Sequence, residues 1–135
     1  ADSALFATPG VNIGLFCSTP MVALSRNVAH KHAMEMLLTG DMISAQRAQQ
    51  IGLINQAISA EELTEQTMAM AAKIAAKSTM TVAVGKRAFY EQAEMPLDDA
   101  YSYASQVMVD NMLKHDAEEG IGAFIEKRSP EWQDR

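Results

Sequence analysis

Residues 33–55 read Ala33-Met-Glu-Met-Leu-Leu-Thr-Gly-Asp-Met-Ile-Ser-Ala-Gln-Arg-Ala-Gln-Gln-Ile-Gly-Leu-Ile-Asn55, and this stretch decides the fold. Met34, Leu37 and Leu38 recur at i, i+3 and i+4, which predicts an apolar helical face. Gly40 follows and supplies the left-handed stop that a helix C-terminus favours. Ser44 is placed to cap a second, short helix whose slim apolar face is Ala45, Ala48 and Ile51. Gly52 ends it, and Leu53 to Ile58 reads as a short strand. Two short helices with such small faces must lie on something larger.

Upstream, Ala4 to Ala7 reads as a short strand, and Pro9, Gly10, Gly14 and Pro20 make residues 8–20 mostly loop. Met21 to Val28 reads as a helix with Thr19 as its cap and Pro20 at its first position. The helix before Gly40 spans 29–39, and the short one spans 44–51. Downstream, Ser59-Ala-Glu-Glu62 is a capping box leading into a face of Leu63, Thr67, Met70, Ala71 and Ile74. Ser78 or Thr79 caps the next helix, which runs to about Glu94 before the break at Pro96. Leu97, Ala100, Tyr101, Ala104, Met108, Asn111 and Met112 form a long amphipathic stripe. Asp116-Ala-Glu-Glu119 reads as another capping start, leading into Ile121, Phe124 and Ile125, and Trp132 anchors the charged tail by packing. The expected class is mainly α with one or two short strands. Residues 1–58 read as the end of a layered strand-helix core, and 59–135 as a helical extension with more apolar stripe than one packing surface needs.

Composition narrows the function classes. At 135 residues and 48% hydrophobic content the chain can bury a real core. No apolar run approaches the ~20 residues of a membrane-spanning helix. Ten methionines read as adaptable core packing. The single cysteine, Cys17, excludes an internal disulfide and reads as a structural thiol in a reducing compartment. A net charge of −6 argues against a nucleic-acid partner. A polyanionic small ligand would need a local basic cluster. His30, His32 and His115 lack partners at ligand spacing, so no metal is expected. Arg26, Lys31 and His32, and likewise Lys86 and Arg87, read as solvated helix faces.

The wording of Met34-Glu-Met-Leu-Leu-Thr-Gly-Asp41, Ile43-Ser-Ala-Gln46 and Gly52-Leu-Ile54 resembles the second half of the crotonase superfamily, the enoyl-CoA hydratases and isomerases. Glu119-Gly-Ile-Gly-Ala-Phe-Ile-Glu-Lys-Arg-Ser-Pro130 is similar to that family's C-terminal segment, in the right order and spacing. Phe6-Ala-Thr-Pro-Gly-Val-Asn-Ile-Gly-Leu-Phe-Cys-Ser-Thr-Pro20 resembles the enoyl-CoA hydratase domain-containing branch. The resemblance implies the C-terminal half of a crotonase-like α/β spiral: core end at 1–58, helical trimerisation region at 59–135. It implies a homotrimer or hexamer, a coenzyme A thioester as substrate, no further cofactor, and no nucleic-acid or membrane partner. Family members are about twice as long, and Ala1 is not Met, so the missing N-terminal half of the same protein is an expected partner. That half would carry the oxyanion-hole amides and the first acid-base group.

The resemblance also assigns residues. The family's second catalytic glutamate follows a Phe-x-x-Pro pattern, which here is Phe6-Ala-Thr-Pro9, and the next residue is Gly10. Two carboxylates suit water addition because one takes a proton and the other delivers one. No Asp or Glu lies between Ala4 and Ser25, so no catalytic residue is assigned in this chain. Leu15, Phe16 and Cys17 match the acyl-pocket segment, although apolar loop residues also read as simple core. Phe124 and Lys127 lie three apart and so are expected to share a helix face, and on spacing alone Phe124 reads as core and Lys127 as solvated. The resemblance instead gives them the CoA nucleotide of a neighbouring subunit, aromatic on adenine and ammonium on phosphate. The functional expectation is an acyl-CoA-binding part of an enoyl-CoA hydratase/isomerase protein, poor at hydration. The rivals are a non-catalytic crotonase-fold CoA-binding or trimer-forming protein, and a decarboxylase or isomerase with its base in the other half. The expected compartment is the cytoplasm, with the mitochondrial matrix as the alternative.

Overall fold

A computed structural model describes residues 1–135. The elements are β1 (Leu5–Phe6), a 3-10 turn (Pro9–Ile13), α1 (Ser18–Asn27), α2 (His30–Thr39), β2 (Ile43–Ser44), α3 (Ala45–Gln50), α4 (Leu63–Ala75), α5 (Thr79–Gln92), α6 (Leu97–Met112) and α7 (His115–Glu126). The chain is mainly α with two short strands, as its sequence predicts. It divides into two compact units, Ala1–Met68 and Ala69–Arg135.

In the first unit, β1 pairs antiparallel with β2, Leu5 opposite Ser44 and Phe6 opposite Ile43. The core is Leu24, Val28, Ala33, Met36 and Leu37, with Phe6, Cys17, Met21, Ile43, Ile51 and Leu53 packed around it. Gly40 closes α2 at φ 66°, and its N–H donates to the Met36 carbonyl. A Cβ there would also lie 2.9 Å from the Asn12 amide and 3.1 Å from a Val11 methyl. Glycine is therefore required twice, by backbone and by space. The chain then enters β2, and the Ser44 hydroxyl accepts the Arg47 N–H at 3.2 Å to cap α3. Ala45 and Ala48 are fully buried, so α3 seats on its small face as expected.

Three local expectations are corrected. The buried stripe of α2 is Ala33, Met36 and Leu37, whereas Met34 and Leu38 stand in solvent. Both sets have i, i+3, i+4 spacing, and only the position of the neighbouring elements selects between them. Leu53 to Ile58 is not a strand. Leu53 and Ile54 turn their N–H groups back to the Ala48 carbonyl, and Gly52 donates to Gln49, so this segment closes α3 instead of pairing outward. Residues 8–20 are more ordered than a loop: they hold the 3-10 turn and the start of α1 at Ser18. Thr19 is therefore not a cap, and α1 has no side-chain cap at all. Pro20 sits at the third helical position, where its missing N–H is one of the four that a helix start leaves unpaired. Only half of the Ser59–Glu62 box forms: the Glu62 N–H donates to the Ser59 hydroxyl at 3.3 Å, but the Glu62 carboxylate meets that hydroxyl at 3.5 Å instead of the Ser59 N–H, and α4 begins only at Leu63.

In the second unit, α5 packs on α6 and α6 on α7. Ser78, not Thr79, caps α5 by accepting the Thr81 N–H. Asp116 does not cap α7, which begins at His115. Its carboxylate is buried and accepts the N–H of Gln133 at 2.8 Å and of Asp134 at 3.0 Å. In return, Asp134 accepts the N–H of Thr79 and Met80 at the start of α5. Trp132 packs on Gly120 and donates its indole N–H to the Ala76 carbonyl at 2.9 Å, which anchors the tail as expected. Arg128 grips Glu119 through both terminal nitrogens, at 2.6 and 2.9 Å. Large apolar side chains remain in solvent on this unit, among them Tyr101, Met108, Met112, Phe124 and Ile125.

Two predictions follow from these contacts. Gly40→Ala strains a left-handed residue and presses on Asn12 and Val11, so it lowers stability by about 1–3 kcal/mol in urea unfolding. The second concerns acid. Hydrogen bonds from Arg128 and then from the Glu131 N–H pull the Glu119 pKa from 4.5 to about 2. The Ser78 side chain, followed by the N–H groups of Gln133 and Asp134, lowers that of Asp116 against the opposing effect of burial. A folded-state pKa below the unfolded one stabilises the fold above the unfolded value, and that contribution is lost as pH falls through the folded value. The tail is therefore held above pH 4.5 and released on descent toward about 2. Fluorescence of Trp132, the only tryptophan in the chain, reports the release; a flat signal across that range contradicts it.

Candidate functional site

The acyl-pocket candidates lie in the first unit, on the turn from Thr8 to Cys17. Pro9 starts the 3-10 turn with a preset φ, and Gly14 ends it in the left-handed region. The ends of the turn are tied together: the Leu15 N–H donates to the Gly10 carbonyl at 2.9 Å, and the Gly10 N–H donates to Cys17 Sγ at 3.2 Å. Leu15 and Phe16 face solvent, whereas Cys17 is half-buried and packs on the core. The structural reading of Cys17 thus holds locally. Position 10 carries no proton-transfer group, and Thr8 Oγ1 is buried without a partner. Beside the turn runs a groove of about 510 Å3 whose walls include Phe6, Thr8, Ala23, Leu24 and Met36. Such a surface can hold an apolar chain. It cannot move a proton on or off carbon.

A second cluster in this unit was not foreseen from the sequence. Arg47 Nη2 lies 3.3 Å from His32 Nδ1 and 3.8 Å from a Glu35 carboxylate oxygen, over a small cavity of about 160 Å3. His32, read from the sequence as part of a solvated helix face, thus has a partner in Arg47. The i, i+3 spacing of His32 and Glu35 was a visible signal. The reversal of chain direction at Gly40 that brings in Arg47 was not.

The nucleotide candidates lie in the second unit. Phe124 is 82% exposed on α7, which contradicts the core reading that spacing favours. Lys127 does not share a helical face with it. Lys127 follows the last helical residue, Glu126, and adopts φ 56°, ψ 37°. Its N–H donates to the Phe124 carbonyl at 3.3 Å, and the Arg128 N–H reaches back to Ala123 at 3.0 Å. A helix closed this way favours glycine at the left-handed position, yet a lysine stands there. Next to Phe124 a groove of about 520 Å3 is walled by Val82, Ile121 and Trp132, with the buried, unpartnered Asn111 Oδ1 on its lining.

A helical array of this order, with one short strand pair between its first residues and Ile43–Ser44, is the C-terminal part of the crotonase fold. The sequence profile of the enoyl-CoA hydratase/isomerase family matches residues 1–135, and the chain belongs to that family. A mouse relative, enoyl-CoA hydratase domain-containing protein 3, mitochondrial, is 54% identical over 132 residues, which is 98% of this chain and 44% of the relative. The human protein of the same name is 52% identical over the same span. The crystal structure of an enoyl-CoA hydratase from Mycobacterium smegmatis superposes with a TM-score of 0.92 at 49% identity, covering 97% of this chain and 51% of that one. The crystal structure of human enoyl-CoA hydratase domain-containing protein 3 gives 0.90 at 53% identity, covering 97% and 52%. The chain thus spans about half the length of these relatives. Their names place the mouse and human proteins in mitochondria.

Replacing Lys127 with Gly removes the left-handed strain of a non-glycine residue, so it raises stability by about 0.5–1 kcal/mol. A thermal melt that falls instead would mean that the lysine stem contributes packing.

Proposed function

We propose that this chain is the acyl-CoA-binding C-terminal part of an enoyl-CoA hydratase/isomerase family protein that acts on a CoA thioester and hydrates poorly. The observation that carries the reading is Gly10: the turn where the family holds a proton-transferring glutamate has no carboxylate and no substitute nearby. The thioester carbonyl is then polarised by backbone amides supplied by the rest of the protein. Leu15, Phe16 and Cys17 border the acyl chain, and Phe124 and Lys127 meet the nucleotide end from a neighbouring subunit. The exposure of Phe124 supports this role, since a bare aromatic face is available to stack on adenine. The unusual backbone of Lys127 supports it as well, because strain in a non-glycine residue is often retained where its side chain has work.

A second reading keeps the fold and drops the chemistry: a non-catalytic CoA-binding or trimer-forming protein. The exposed apolar side chains of α6 and α7 favour assembly in either case, as a homotrimer or hexamer together with the N-terminal half. The names of the relatives support a mitochondrial location.

Two measurements test the proposal on the intact protein. Its turnover of crotonyl-CoA should lie roughly a hundred- to ten-thousand-fold below that of a good hydratase, because one acid-base group is missing; a comparable rate overturns the reading. Calorimetric titration of CoA should show Lys127→Ala weaker by about 1 kcal/mol, with the difference shrinking as salt rises. Lys73→Ala, on the exposed face of α4, is the control. Equal affinities for all three proteins remove Lys127 from the site.

A further inference from the structure

We propose that Cys17 and the carbonyl of Leu15 together make glycine obligatory at position 10, so that the missing carboxylate is built into the shape of this turn and Cys17 determines which reactions it admits. The steric claim rests on geometry alone. Its consequence for the reaction rests on the proposed function above.

A Cβ on residue 10 would lie 2.8 Å from Cys17 Sγ, 2.8 Å from the Leu15 carbonyl oxygen and 3.4 Å from the Cys17 nitrogen. Carbon does not approach sulfur or oxygen so closely without displacing them. Gly10 does not have a positive φ, so its backbone would suit any residue. The demand for glycine is one of space only. The obstructing atoms are also held in place. Cys17 Sγ accepts the Gly10 N–H, and its side chain packs on the buried core. The Leu15 N–H donates to the Gly10 carbonyl, which keeps Leu15 close to residue 10. On the far side, Val11 and Asn12 are seated against the end of α2 at Gly40, so the turn can relax only toward solvent, on the side of Leu15 and Phe16.

A glutamate placed at position 10 would therefore have to open the turn before its carboxylate could reach a substrate. The turn accordingly selects for CoA-thioester binding, or for chemistry whose proton transfer comes from elsewhere in the protein, and against water addition assisted from this side.

The test is a double-substitution cycle in the intact protein: wild type, Gly10→Ala, Cys17→Ala and the pair. Gly10→Ala should lower Tm by about 3–10 °C. In the Cys17→Ala background the same change should cost clearly less, because one of the two obstructing atoms is gone. Gly10→Ala should also displace the thiol and speed its reaction with an aromatic disulfide reagent by about tenfold. This readout does not depend on the stability of Cys17→Ala. Gly10→Glu alone should leave crotonyl-CoA hydration within about tenfold of wild type. An unchanged Tm for Gly10→Ala, equal losses in both backgrounds, unaltered thiol reactivity, or a gain of about a hundredfold from Gly10→Glu alone each overturns the proposal. Failure of the wild type to bind CoA would instead overturn the functional reading and leave the cycle on Tm intact.

Discussion

The first unit depends on one short contact, the meeting of the 3-10 turn with the end of α2 at Gly40. The left-handed backbone of Gly40 turns the chain out of α2 and into β2. That change of direction pairs Ile43 with Phe6 and places Ser44 where its hydroxyl caps α3. Asn12 and Val11 press into the space that a side chain at position 40 would occupy. The same turn holds Gly10 against Cys17. Helix termination, strand pairing and the geometry of the candidate acyl-pocket segment are thus linked through a few atoms, none of them charged.

The second unit is organised differently, by a buried charge. Burying a carboxylate is costly unless its oxygens are fully hydrogen-bonded, and Asp116 meets that condition with backbone N–H groups from the tail. Asp134 returns the interaction by capping the open end of α5. The tail is therefore a structural element although it has no regular secondary structure. It seats Trp132 beside Phe124 along the same groove, which gives the nucleotide candidate a fixed surface.

These two organising contacts suit different tasks. The turn at Gly10 is neutral, tight and short of proton-transfer groups, so it shapes a binding surface. The end of α7 presents an exposed aromatic and a cation on unusual backbone, so it offers recognition at the rim. Both features are compatible with the CoA thioester proposed above for this member of the enoyl-CoA hydratase/isomerase family.

Much of this was legible in the sequence by itself. The order of helices, the stops at Gly40 and Gly52 and the cap at Ser44 follow from residue type and spacing, because each is fixed within a few residues along the chain, whereas the family and the vacancy at Gly10 were legible only through the resemblance of the quoted motifs. What only tertiary structure decided is which of two equivalent stripes faces inward. Ala33, Met36 and Leu37 are buried and Met34 and Leu38 are not, since the helix period allows both and the position of its neighbours selects one. Long-range contacts likewise turned Asp116 from a presumed cap into the tail's anchor, drew Leu53 back onto α3, and brought Arg47 to His32. Lys127 left the helical face because the closing hydrogen bonds of α7 end the helix at Glu126. Local sequence sets what a segment can form. Which of its faces and ends are used depends on partners tens of residues away, and spacing along the chain carries no record of them.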